Sequence, residues 1–409
     1  MLNRIWLSFF IIAFFSAVAT WIGGGDGLVF ERMVDALFKM GKVSVEISIG
    51  LIGALCFWLG IMKVAEKAGM VDVLAKGLSP LFHKLMPEVP KNHAAFGSIT
   101  MNLSANLLGL DNAATPLGIK AMHDLQSINP KKDTASNAQI LFLVLNTSSV
   151  TLFPIAVFVY RAQQGAMSPT DVFIPILIAT FSSTLVGLCV VAWVQKLKLA
   201  NFVVLAYLGS MLALLASLIV YFSSLTAEVL SHQSAVLSNF LIFSFVLLCL
   251  SWAFYKKHNV YELFIEGAKQ GFEFSISLIP YLLAMLCAIG VFRASGALDI
   301  ALDGMRQLVT FFNGDTRFVD AMPTAFMQPL SGSGARAMMI ETMNMHGADS
   351  FAGRLASTVQ GSTETTFYVL AVYFGAVGIK HTRHAVACGL SADLAGIVTA
   401  IAVCYWFFG

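Results

Sequence analysis

Apolar residues in this chain gather in long blocks, with neither the period-two alternation of a half-buried strand nor the narrow apolar stripe of a soluble helix. Stretches close to the ~20 residues that cross a hydrocarbon core cover 4–22, 44–62, 138–160, 172–195, 202–223, 237–255, 272–292, 353–376 and 385–408. Each reads as a membrane-crossing helix. The first follows Arg4 and ends in Ala17, Val18 and Ala19, as a signal peptide would. Its counterpart at 239–254 opens a second series of blocks and cannot be a leader, so 4–22 reads as a retained span.

The blocks repeat. Glu46, Ser48, Ile49, Leu51 and Ile52 fall on Glu273, Ser275, Ile276, Leu278 and Ile279, and at the same offset Val64, Gly69 and Asp72 fall on Val291, Gly296 and Asp299. After a shortened loop, Ser148, Thr151 and Phe153 fall on Ser362, Thr365 and Phe367. Three matches in the same order, polar identities included, indicate a duplication. Residues 1–200 form the first repeat, 201–230 a linking helix and 231–409 the second repeat. The expected fold is all-α: a polytopic membrane protein of two inverted structural repeats with broken or re-entrant helices, joined by one extra transmembrane helix.

Charge sets the expected orientation. Lys63, Lys67, Lys76, Lys84 and Lys91 crowd one loop region, whereas the matching region mixes Arg293, Arg306 and Arg317 with Asp299, Asp303, Asp315 and Asp320. Lys131 and Lys132 match a stretch, 344–353, without Lys or Arg. Later the bias reverses: 161–171 holds one basic residue, and its partner holds Lys380, His381, Arg383 and His384. Basic residues thus favour opposite sides in the two halves, as expected of inverted copies in a bacterial cytoplasmic (inner) membrane with the N-terminus inside and the C-terminus outside. An even number of crossings per half requires 96–125 and 323–346 to dip in and return.

Composition narrows the class further. With 57% hydrophobic and 12% charged residues and a mean hydropathy of +0.78, a soluble globular fold is excluded. The net charge of +2 gives no reason to expect nucleic acid. The six cysteines are scattered and the eight histidines lack ligand spacing, so neither a metal nor another cofactor is expected.

Each repeat carries two polar interruptions. The first holds Asn102, Ser104, Asn106, Asp111, Asn112, Thr115 and Pro116, with Thr115 predicted as an N-cap and Pro116 as the first helical residue. Its counterpart holds Gln328, Ser331, Gly332, Ser333, Gly334 and Arg336, where glycines permit a tight turn and serines cap the next helix. Helix starts at membrane depth aim unpaired N–H groups at whatever lies ahead. The second interruption is Asn146, Thr147, Ser148 and Thr151 in one copy and Gln360, Ser362, Thr363, Glu364 and Thr365 in the other. Within a continuous helix these hydroxyls share a face, and Pro154 frees the Val150 carbonyl. Any single hydroxyl is explained by packing. The clusters together, with carboxylates at Asp111 and Glu364, favour a polar cavity. The expected solute contacts are therefore Asn106, Asp111, Asn112, Thr115, Asn146, Ser148, Thr151, Gln328, Ser331, Ser333, Arg336, Gln360, Ser362, Thr363, Glu364 and Thr365. Asp111, Glu364 and Asp393 are the candidates for a coupling ion. Arg336 and Glu341 are expected to pair with each other or with nearby carboxylates, and Glu46 and Glu273 to be helix-end pairs or ligands.

Several of these strings carry a family resemblance. Residues 58–63 (WLGIMK) and 106–116 (NLLGLDNAATP) resemble the spore maturation protein A family. Residues 328–336 (QPLSGSGAR), 360–368 (QGSTETTFY) and 382–384 (TRH) resemble the spore maturation protein B family. The resemblance implies a fusion of two proteins that both carry the nucleoside recognition or Gate domain, a domain similar to parts of concentrative nucleoside transporters and of ferrous iron transporter B. In the nucleoside transporters a Gly-Gln-Thr-Glu motif on a re-entrant hairpin contacts the nucleoside, and Gly361, Ser362, Thr363 and Glu364 resemble it, with Ser for Gln.

The expected function is secondary transport of a small polar, nucleoside-like solute, coupled to Na⁺ or H⁺, from a site between the repeats. A homo-oligomer in the lipid bilayer is compatible with this. The alternative is an envelope scaffold or regulator, or a lipid-handling protein. Enzyme activity is not expected. Gly23, Gly24, Gly25 and Asp26 match the GxGD string of intramembrane aspartyl proteases but sit at the exit of the first span, there is no HExxH, and Gly332-Ser333-Gly334 is not a nucleophile elbow.

Overall fold

A computed structural model describes residues 2–24, 26–148, 150–225 and 227–409, with the backbone alone for Leu2, Gly24, Asp111, Asn112, Ala113, Ala227, Glu228, Ser231 and His232. Regular structure among them is helical. The chain runs α1 (Leu2–Gly24), α2 (Val29–Lys67), α3 (Met70–Leu85), α4 (Ala95–Leu107), α5 (Asp111–Ser127), α6 (Asn137–Thr147), α7 (Ile155–Gln163) and α8 (Phe173–Gln195). After α9 (Phe202–Ser223) the series returns as α10 (Ala227–Tyr255), α11 (Val260–Ala294), α12 (Ala297–Phe311), α13 (Met322–Met327), α14 (Gly332–His346), α15 (Phe351–Ser362), α16 (Thr366–Ala376) and α17 (Ala385–Phe408). Among the described residues, seven helices are long and apolar enough to cross a membrane: α1, α2, α8, α9, α10, α11 and α17. This is a multi-pass membrane protein.

Local features recur along with the order. Gly69 and Gly296 both take φ +79° immediately before α3 and α12, a left-handed turn that a side chain would strain. The Ser48 and Ser275 hydroxyls donate to the carbonyls of Ser44 (2.8 Å) and Gly271 (2.7 Å), one turn back in each long helix. Ser136 and Ser350 cap α6 and α15.

Equivalent helices pack on each other. In α2 and α11, Gly60 meets Phe264 while Met40 meets Gly290, so the two run antiparallel. A Cβ on Gly267 would stand 2.4 Å from the Leu59 carbonyl, and one on Gly271 2.6 Å from the Cys56 Cα. Only glycine lets these backbones cross so closely. α8 and α17 are antiparallel too: Gly187 meets Ala392, Gly396 meets Ser183, and Gln195 reaches His384 at 3.0 Å. Other contacts come in exchanged pairs, α1 on α11 with α10 on α2, and α6 on α17 with α15 on α8. Only 11% of the apolar window of α1 and of α9 is covered by protein, against 67% for α8, which places α8 at the centre and the other two at the rim.

Four expectations change. The long helices extend well past the apolar blocks at 44–62 and 272–292, to 39 and 35 residues, or about 58 and 52 Å at 1.5 Å per residue. Their charged extensions lie outside any hydrophobic window. Glu46 and Glu273 are thus mid-helical and exposed, not at helix ends, and Glu46 sits 3.6 Å from Lys42 one turn away. The blocks at 138–160 and 353–376 are each two helices separated by a break, so the hydroxyls there do not line one helical face. Pro154 is the N-cap of α7 and Val150 is not helical, so no helix bond is lost at the Val150 carbonyl. Finally, α5 begins at Asp111, which puts Thr115 and Pro116 inside the helix, not at its start.

Candidate functional site

The turn between α4 and α5 forms because Gly109 adopts φ +72°, letting its N–H reach Asn106 O (2.9 Å) and that of Leu110 reach Ala105 O (2.9 Å), a Schellman closure. α13 and α14 form the matching hairpin, and there Ser331 caps α14 through Gly334 N at 3.1 Å, as expected from its sequence. The tips of both hairpins meet the broken helices. Leu152 N–H donates to Leu107 O at 2.9 Å, and Phe367 N–H to Pro329 O at 3.0 Å.

The second break is short and extended, with Thr363 at φ −148°, ψ 162° and Thr365 at φ −79°, ψ 98°. Its backbone groups leave the helical ladder and must find partners elsewhere. Gln328 Nε2 donates to the carbonyls of Thr363 and Gln360, and Glu364 N–H donates to Thr147 O of the first copy at 2.8 Å. Gln328 itself is buried. The first break lies between the end of α6 at Thr147 and the start of α7 at Ile155, its described residues being Ser148 and 150–154, and Thr184 donates to Ser148 O at 2.7 Å.

Both hairpin turns and both breaks surround one cavity of about 200 Å³ between the α2 and α11 halves. Of the expected solute contacts, Thr151, Gln328, Arg336, Gln360, Thr363, Glu364 and Thr365 line it. The others do not. Asn106 donates to Asn146 Oδ1 at 2.8 Å, and Tyr373 OH donates to the same oxygen at 3.3 Å, so the two amides tie the first hairpin to α6 and α16. Ser148 and Ser362 are buried behind the wall, Ser333 lies 3.3 Å from the capping Ser331, and Thr115 is half-buried within α5. The side chains of Asp111 and Asn112 lie outside the described residues. Asp393 is buried in α17, where its Oδ2 accepts from Thr366 Oγ1 at 2.6 Å.

For Glu341 the partner differs from expectation. Glu341 pairs with Arg293 at 3.3 Å, and Arg336 Nε donates to Gly332 O at 3.3 Å. Asp26 pairs with Arg32 in the turn after α1, and that guanidinium holds the carboxyl below the usual carboxylate range.

The sequence reading missed the cavity's aromatic and charged walls. Trp58, Tyr160, Phe153 and Phe274 line it, with Lys63, Glu66 and Gln270. Lys63 stands 3.6 Å from Glu66 and 3.3 Å from Glu266. Lys63 and Glu66 fall just past an apolar block and Gln270 just before one, a position that signals only a membrane edge until the helices are known to cross beside the hairpin tips.

A family model described as Gate, nucleoside recognition, matches residues 48–164 and 275–380, the two stretches holding the hairpins and breaks. The chain is similar to spore maturation protein A of Bacillus subtilis (strain 168), 40% identical over 183 residues, covering 45% of this chain and 90% of that protein. It is also similar to spore maturation protein B of the same organism, 48% identical over 154 residues, covering 38% of this chain and 85% of the relative. The two relatives match different parts of the chain. A doubled family match on the two copies of one helical series, each copy with its own relative, means that this chain belongs to the Gate (nucleoside recognition) family and joins an A-like and a B-like half.

Proposed function

We propose that the protein is a secondary transporter of a small polar solute, which binds in the cavity between the two copies. The observation carrying this reading is that one cavity is bounded by both broken helices and both hairpin tips, the elements with which transporters build midplane sites. Lys63 and Arg336 are matched by Glu66 and Glu364 around it, which suits a neutral or zwitterionic solute better than an ion of either sign. Aromatic rings at Trp58, Phe153 and Phe274 beside the amides of Gln270, Gln328 and Gln360 suit a flat, hydrogen-bonding ring, in keeping with the family description of nucleoside recognition. A volume of about 200 Å³ is somewhat larger than the ~150 Å³ cavity that accepts benzene. In this reading α2 and α11, being antiparallel, enter the bacterial inner membrane from opposite faces, with the N-terminus cytoplasmic and the C-terminus outside, and uptake is coupled to Na⁺ or H⁺. No step of it requires bond-making chemistry.

Reconstituted vesicles loaded by external tritiated uridine or adenosine test it. Wild-type vesicles should accumulate at least one of the two. Glu364→Gln should lower uptake about 10- to 100-fold, the equivalent of the ~1.5–3 kcal/mol in a hydrogen bond to a charged group. Thr151→Val should lower it less than about threefold. Uptake no greater than in protein-free vesicles, or equal in wild type and Glu364→Gln, overturns the reading.

A further inference from the structure

We propose that Asp393 and Thr363 form the core of a binding site for a monovalent cation of sodium size, placed behind the second break. Asp393 is 1% exposed, in the first half of α17. One of its carboxylate oxygens accepts from Thr366. The other, Oδ1, is buried outside hydrogen-bond geometry with any donor, and so is the Oγ1 of Thr363, whose hydroxyl is near enough to interact with the same carboxylate. The charged group acting on Asp393 is Glu364, a second carboxylate. A buried, half-satisfied carboxylate costs several kcal/mol unless something compensates it.

The chemistry of the pair selects the occupant. The donors are a carboxylate and hydroxyls, hard ligands suited to an alkali or alkaline-earth ion. Asp393 is the one charged group of the pair, so a monovalent cation leaves the Asp393–Thr363 pair itself neutral. Room for the arrangement comes from Gly396, where a Cβ would stand 2.7 Å from Thr363 Cγ2 and 3.4 Å from Ser362 Oγ.

The site has a mechanical consequence. Thr363 lines the cavity, and its carbonyl accepts from Gln328. A cation that holds the Thr363 hydroxyl also fixes the strand carrying Glu364 and Thr365, so cation and solute stabilise the same arrangement of the break. This consequence rests on the transport reading; the binding itself does not.

Binding is tested without solute, on the full chain in lipid nanodiscs at fixed pH and ionic strength, with NaCl replacing choline chloride. The thermal midpoint should rise with sodium concentration, and radiolabelled sodium should bind saturably. Asp393→Asn and Thr363→Val should lose both responses, and Thr363→Ser should keep both. If Asp393→Asn fails to fold, the Thr363 pair decides. A wild type indifferent to sodium, a midpoint that follows pH instead, or undiminished sodium binding by Asp393→Asn or Thr363→Val each overturns the site. Sodium binding with no solute flux would support the site and count against transport alone.

Discussion

Ser136 caps α6 and Ser350 caps α15 from equivalent positions, yet the ground around the two caps differs. Beside Ser136 the contacts are neutral amides: Gln139 Nε2 donates to Gln126 Oε1 at 2.9 Å, and Asn129 Nδ2 to Gln139 Oε1 at 3.2 Å. Near Ser350 they are ionic. The wholly buried Arg161 reaches Asp171 at 2.8 Å and Asp349 at 3.1 Å, and Arg354 reaches Asp171 at 2.8 Å. Both patches join the copies, through Arg383 Nη1 to Ala135 O at 3.0 Å at one end and Arg161 Nη1 to Ala348 O at 2.8 Å at the other. The breaks diverge in the same way. The first offers Thr151, Phe153 and Pro154 to the cavity, and the second offers Thr363, Glu364 and Thr365. Duplication has kept what both copies need in order to pack on each other: helix order, caps and left-handed glycines. Side chains that face a shared space answer to one another and not to their equivalents, so there the copies were free to differ.

The largest test of that contrast is at the ionic end. Asp171→Ala should cost about 3–5 kcal/mol, because it strips a partner from a guanidinium that water cannot reach. Gln126→Ala, at the amide end, should cost about 1–2 kcal/mol, because the bonds its amide makes are neutral and partly reached by water. Thermal midpoints in detergent would measure both, and equal losses would erase the distinction. Gln328 comes next. Gln328→Ala leaves the Thr363 and Gln360 carbonyls without their side-chain donor, for about 1–3 kcal/mol. Amide exchange should accelerate at 363–367 and not at 150–154, where the first break relies on the Leu107 carbonyl. Spread of the acceleration to both breaks would show them to be one unit. The smallest effect is the one the copies should share. Ser136→Ala and Ser350→Ala each remove a helix cap, worth about 1 kcal/mol, and a clear inequality between them would mean that the caps have diverged too.

Much of this architecture is legible in the residues, and the failures are instructive. The positions of both breaks follow from Asn146–Thr151 and Gln360–Thr366 interrupting apolar sequence, since hydroxyls and amides at membrane depth mark irregular backbone. Whether the helix survives such an interruption is not a local matter. Thr363 can leave the helix because Gln328, distant in sequence, donates to its carbonyl. Thr115 followed by Pro116 has the form of a helix start, but the Schellman closure at Gly109 ends α4 so tightly that α5 begins earlier, at Asp111. The salt-bridged Arg161 reads in sequence as one sparse basic residue. Its burial depends on Asp349 arriving from the other copy.

Sequence by itself determined that the chain crosses a membrane, that it is built twice, and where its helices must be interrupted. Those properties follow from transfer free energy and backbone hydrogen bonding, which act residue by residue. Which polar residues face the cavity and which are spent on tying helices together was decided only by tertiary structure. Asn106 and Asn146 satisfy each other, while Gln328 and Glu364 reach the chamber wall. That choice depends on which partner lies within about 3 Å, a distance set by the antiparallel crossings of α2 with α11 and of α8 with α17.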